Sequence, residues 1–192
     1  MDDFALIVRY GAFGLFCLFC LAAAVFDLWK MIIPNAVSLL LVGLFFANAL
    51  FLTFALDYDV AWFSHIGAMA AVLAVGLVIY RFGAMGAGDV KLLTAVALWA
   101  GFEKNPIDPV IVAHYLFDYL IIVALCGGVL SIGLIVLRRL VTGLLLLQSS
   151  PQDVTLPRYL LPRESLPYGV AIALPAIYLA VKLPLLGGFL FL

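Results

Sequence analysis

The chain has 192 residues, of which 67% are apolar and only 11% charged, with a mean hydropathy of +1.26. That much apolar surface excludes a water-soluble globule and implies an all-α polytopic bundle of membrane helices, forming one integral membrane domain over residues 1–192 in contact with membrane lipid. A net charge of −1 gives no electrostatic basis for nucleic acid as a partner.

Apolar windows and breakers predict six spans. The first runs from about Ile7 to Phe26; its acidic start and the lack of a small-residue cleavage site suggest a retained span rather than a signal peptide. The second, about Ala36 to Leu56, follows Ile33-Pro34-Asn35, where Pro34 suits a helix start, and acidic Asp57-Tyr58-Asp59 ends it. The third covers about Val60 to Tyr80. The fourth, about Val90 to Ala100, is short for a bilayer, so it either extends back through Gly88 or sits inside the bundle. The fifth covers about Tyr119 to Leu137 and the last about Tyr168 to Leu190, with kinks expected at Pro175 and Pro184. Gln148 to Pro167, a polar stretch with four prolines, is expected to be a connector, with a substrate-docking loop on the membrane surface as the alternative.

Cys17, Cys20 and Cys126 all lie in apolar runs, without a second cysteine pair or a nearby histidine. They are expected to be packing residues, and neither a metal site nor a cofactor is expected. Trp29, Trp62 and Trp99 lie near span ends and suggest an interfacial aromatic belt; His65 and His114 are taken as interfacial residues remote from the chemistry.

Basic residues set the orientation. Lys30 follows span one, Arg81 and Lys91 bracket the loop after span three, and Arg138, Arg139, Arg158 and Arg163 follow span five. The opposite loops carry Asp57, Asp59, Glu103, Asp108 and Asp118, with Lys104 their only clear basic residue. Both termini are therefore expected outside and the three basic loops in the cytoplasm.

Asp27 closes span one and Asp89 opens span four, with two complete crossings between them, so both belong at the cytoplasmic ends of helices. The other acids on that side, Asp153 and Glu164, sit in the polar loop. An aspartate inside the hydrocarbon costs about 2.5–3.5 kcal/mol on insertion scales, less near the interface, and usually marks a function. Two such groups in one site cannot both ionise cheaply: one keeps a proton while the other acts as base. The ionised carboxyl would deprotonate a water; the protonated one would polarise a scissile carbonyl and help the amine leave, as in soluble aspartic proteases. Gly86 and Gly88 would allow another backbone close to Asp89, or a positive φ before the helix.

Each residue also has a plainer role. Asp27 and Asp89 could cap the helices that follow them, and Lys91 could snorkel to the interface or sit as a positive neighbour of Asp89. Lys30 could be a topology signal alone. An ion or proton pathway is a competing function, because intramembrane carboxylates also mark transporters; those usually carry their acids near the midplane and often show repeated halves.

The stretch "MGAGDVKLL" resembles the Gly-x-Gly-Asp motif of type IV prepilin peptidases. "DLWKMIIPN" is similar to that family's first aspartate box, and "LPYGVAIA", Leu166 to Ala173, to its C-terminal box. The resemblance implies an aspartic endopeptidase of the bacterial inner membrane that removes the basic leader of prepilins or pseudopilins on the cytoplasmic side. Asp27 and Asp89 match the family's catalytic aspartates. Gly86, Gly88, Lys30, Pro34, Asn35, Lys91, Pro167, Tyr168 and Gly169 are the candidate substrate-binding or site-shaping residues. Longer members carry a cytoplasmic insertion with paired C-x-x-C motifs and also N-methylate the trimmed pilin. Here Asp27 follows span one directly, which implies peptidase activity alone, as in the short members of tight-adherence (Flp) pilus systems. Presenilin and signal peptide peptidases share the Gly-x-Gly-Asp motif, but their Pro-Ala-Leu motif is absent.

Overall fold

The computed structural model describes residues 3–103, 114–147, 160 and 166–186. Among them are six helices: α1 (Asp3–Lys30), α2 (Asn35–Leu56), α3 (Trp62–Arg81), α4 (Ala87–Ala100), α5 (Tyr115–Leu147) and α6 (Tyr168–Ala180). Helices α1, α2, α3 and α5 are each long and apolar enough to cross a membrane. Large apolar side chains such as Val75, Leu77, Val129 and Ile132 point outward from α3 and α5, as expected where the surrounding solvent is lipid.

Helix α4 is different. Its 14 residues span about 21 Å at 1.5 Å per residue, less than the hydrocarbon thickness of about 30 Å. Every residue from Leu92 to Ala100 is buried, and α2, α3, α5 and α6 all pack against it. Both expectations for this short run hold: the helix extends back past Gly88, and it sits inside the bundle. Gly76 of α3 lets α4 approach closely, since a Cβ there would lie 2.7 Å from Val90 Cγ1. At the other end of α4, the Trp99 ring packs edge-on against Phe16 and Phe45, each 5.3 Å away between centroids, and its Nε1–H donates to the Leu41 carbonyl at 3.1 Å. Around this centre, α1 packs on α6 and α2, and α6 packs on α5.

Several sequence expectations need correction. Trp99 is fully buried rather than part of an interfacial belt, because the helix that carries it is sheathed by protein. Trp29, by contrast, is exposed. His65 is also buried; its Nδ1 lies 2.8 Å from the Leu98 carbonyl and its Nε2 3.6 Å from Glu103 Oε1. Lys30 is the last residue of α1 rather than part of a loop. The helix stops where Met31 takes φ 56°.

Helix α5 is longer than expected at both ends. Asp118 lies buried in its first turn, and Arg138 and Arg139 lie inside it, since the run Leu140–Leu147 after them has no breaker beyond Gly143. Helix α6 contains Pro175 but ends at Ala180, so Pro184 lies in the turns that follow and kinks nothing. Lys104, Asp108, Asp153, Arg158, Arg163, Glu164, nearly all of the Gln148 to Pro167 connector and the last span beyond Leu186 lie outside the described residues.

Candidate active site

The α1–α2 and α3–α4 connections meet at one end of the bundle, around a cavity of about 840 Å³ that is lined by both Asp27 and Asp89. Asp27 sits one turn before the end of α1 and is only 6% exposed. Its Oδ2 accepts the backbone N–H of Gly169 at 2.6 Å. Gly169 is the second residue of α6, where backbone N–H groups have no partner inside their own helix and the helix dipole favours an anion. The "LPYGVAIA" stretch thus supplies a donor that fixes the orientation of the Asp27 carboxyl.

Asp89 is the third residue of α4, and its Oδ2 accepts the N–H of Gly86, the N-cap, at 3.2 Å. The capping role considered for Asp89 is therefore present, and it aims the carboxyl at the same cavity.

The glycines act through close approach. Gly86 has φ −72° and ψ 150°, an extended conformation open to any residue, and the positive φ of this loop falls at Gly83 instead (φ 73°). A Cβ on Gly86 would lie 2.9 Å from Asp89 Oδ2, and one on Gly88 would lie 3.2 Å from Ile33 Cβ. A Cβ on Gly169 would meet Asp27 Oδ2 and Ile33 Cδ1, both at 2.8 Å. Ile33 is therefore a wedge between the start of α4 and the start of α6.

Asn35 and Lys91 line the cavity as well and bond to each other: Lys91 Nζ donates to Asn35 Oδ1 at 2.8 Å. This pair joins the first residue of α2 to α4, so Lys91 does more than reach for the interface. Tyr168 lines the cavity too, with its hydroxyl end against Gly127 of α5, where any side chain would collide with it. Lys30, Pro34 and Pro167 do not line it. Lys30 instead lies 5.6 Å over the ring of Phe26, and the two prolines are the N-caps of α2 and α6. Among the described residues, no three His, Cys, Asp or Glu side chains gather as metal ligands.

Sequence reasoning missed Ile33, Tyr80, Met85 and Ser131 as lining residues. Ile33 lay inside the first aspartate box, but an isoleucine carries no chemical signal. Ser131, whose Oγ–H donates to the Gly127 carbonyl at 2.6 Å, sits in an apolar helix where its hydroxyl was the only cue.

Helical spans surrounding a cavity of about 840 Å³ that holds two backbone-bonded carboxyl groups define a membrane protein equipped for acid–base chemistry. The chain belongs to the type IV leader peptidase family, whose model matches residues 14–137. It is accordingly a protease, a hydrolase carried by a helical membrane bundle. The match takes in Asp27 and Asp89 and stops before α6, whose Gly169 contacts Asp27. No curated protein and no solved structure matches the chain.

Proposed function

We propose that this chain is an aspartic endopeptidase that removes the leader peptide of type IV prepilins or pseudopilins at the cytoplasmic face of the bacterial inner membrane, with residues 1–192 acting as one peptidase domain. The observation that carries this reading is the convergence of Asp27 and Asp89, from boxes far apart in the chain, on one cavity, each held by a backbone N–H.

In the mechanism, the pair holds one proton between its two carboxyls, because facing carboxylates resist double ionisation. The ionised member takes a proton from a water in the cavity as that water attacks the scissile carbonyl. The protonated member hydrogen-bonds the carbonyl oxygen and then delivers its proton to the departing amine. Gly169 and Gly86 fix the two groups through N–H donors that need no reorganisation during the reaction. Lys91 and Asn35 form part of the rim over which the peptide enters.

The cytoplasmic assignment rests on charge: Lys30, Arg81 and Lys91 gather at the site end, while Asp57, Asp59 and Glu103 lie at the other. Only Met31 to Pro34 separate α1 from α2, which leaves no room for a methyltransferase insertion and favours peptidase activity alone.

The test is co-expression with a prepilin and comparison of leader removal by wild type, Asp27→Asn and Asp89→Asn. The amide keeps the size of the side chain and removes its titratable proton, so either single change is expected to lower the rate by about 10²–10⁴-fold. Processing that survives both substitutions, or a prepilin left uncut by wild type, rules the proposal out.

A further inference from the structure

A second cavity, of about 390 Å³, opens on the side of the bundle between α2 and α3 and is floored by α4. Helix α2 lines it with Asn35, Ser38, Leu39 and Val42, a single face repeating every three to four residues, and the face of α4 opposite carries Lys91, Thr94 and Ala95. Leu73 closes it from α3. The groove therefore runs along the helix axes for about two turns, starting at the Lys91–Asn35 hydrogen bond. That bonded pair also lines the cavity holding Asp27 and Asp89, so the groove and the candidate active site adjoin at that rung.

Two hydroxyl residues on its walls are unusual. Ser38 and Thr94 are each only 8% exposed, and neither oxygen has a hydrogen-bond partner. Elsewhere in the protein, Thr53 and Ser131 satisfy their hydroxyls on the carbonyl four residues back. A buried hydroxyl without a partner is costly, and a polar atom brought by whatever fills the groove would relieve that cost.

We propose that this groove binds the apolar helix of the substrate that follows the scissile bond, a proposal that rests on the prepilin-peptidase reading above. The shared rung points to a polypeptide: one chain can lie extended across the carboxylates and continue as a helix past the Lys91–Asn35 pair. A helix also brings backbone carbonyls and small polar side chains that Ser38 and Thr94 can bond, whereas a lipid acyl chain brings none. The groove would then set which bond reaches the carboxylates, by fixing where the apolar helix starts.

The test places a photoreactive benzophenone side chain at Leu39, which is 69% exposed, in the Asp89→Asn enzyme co-expressed with prepilin in membranes. Irradiation should give an adduct that maps to the prepilin's apolar helix. The same probe at Phe63, at the far end of α3 and 96% exposed, should give none. Adducts to lipid alone, to the leader alone, to both probe positions equally, or to nothing overturn the proposal while leaving the peptidase reading intact. A prepilin uncut by wild-type enzyme in the same membranes instead overturns the peptidase reading, and this inference with it. As a second measure, Leu73→Trp, which narrows the groove, should raise KM on the order of ten-fold with kcat unchanged. A fall in kcat at constant KM contradicts docking.

Discussion

The backbone N–H of Gly169 reaches Asp27 Oδ2 at 2.6 Å across 142 positions of sequence, so the first turn of α6 clamps the last turn of α1. A methyl group at 169 would sit 2.8 Å from both that oxygen and Ile33 Cδ1, so the Asp27 carboxyl would have to shift to admit it. Gly169→Ala is therefore expected to cut prepilin processing by about 10²-fold, the scale of a 1 Å misplacement of a reacting group. Cleavage assays on purified variant enzyme check this; an unchanged rate would mean that α6 does not position Asp27.

Tyr168, next to that donor, occupies the space above Gly127 of α5. Gly127→Ala should displace the tyrosine and, with it, the start of α6, lowering activity. Truncating the tyrosine in the Gly127→Ala, Tyr168→Ala double variant should restore part of what the single Gly127→Ala change loses, a coupling that a double-mutant cycle measures. Strict additivity of the two losses would argue against this contact.

At the opposite end of α4, Gly101 adopts φ 60° and ψ −178°, a region essentially closed to residues with a Cβ and costing about 1–3 kcal/mol when forced. Its Cβ would also lie 2.9 Å from His65 Nδ1, the atom bonded to the Leu98 carbonyl. Gly101→Ala is expected to lower the thermal unfolding temperature in detergent while leaving the cleavage rate at permissive temperature unchanged, because the carboxylates lie at the other end of the helix.

Trp99→Phe separates a core tryptophan from an interfacial one. In the core it removes the donor to the buried Leu41 carbonyl and should cost about 0.5–1.5 kcal/mol for that hydrogen bond. At a lipid headgroup layer the same change would be nearly silent. Denaturation of the purified protein distinguishes these outcomes.

The number and order of helices could be read from the chain because each apolar run is bounded by glycine, proline or charge. The convergence of Asp27 and Asp89 could be read as well, since an even number of crossings returns a chain to the same face. What stayed hidden depended on neighbours. Nothing in the sequence around Trp99 or His65 distinguishes a residue wrapped by protein from one at the lipid boundary, because both surroundings are apolar. The ends of α5 were misplaced for the same reason: Arg138 and Arg139 look like a loop signal, yet the leucine-rich run after them continues the helix. Ile33 was invisible as a site residue because its role is purely steric.

Helix α4 lies out of contact with lipid along most of its length, whereas α1 turns many apolar side chains outward. A change in bilayer thickness therefore acts on the tilt of α1, which carries Asp27, far more than on α4, which carries Asp89. Acyl-chain length in reconstituted vesicles should thus tune turnover by shifting one carboxyl against the other, so that the surrounding membrane itself becomes an adjustable part of the catalyst.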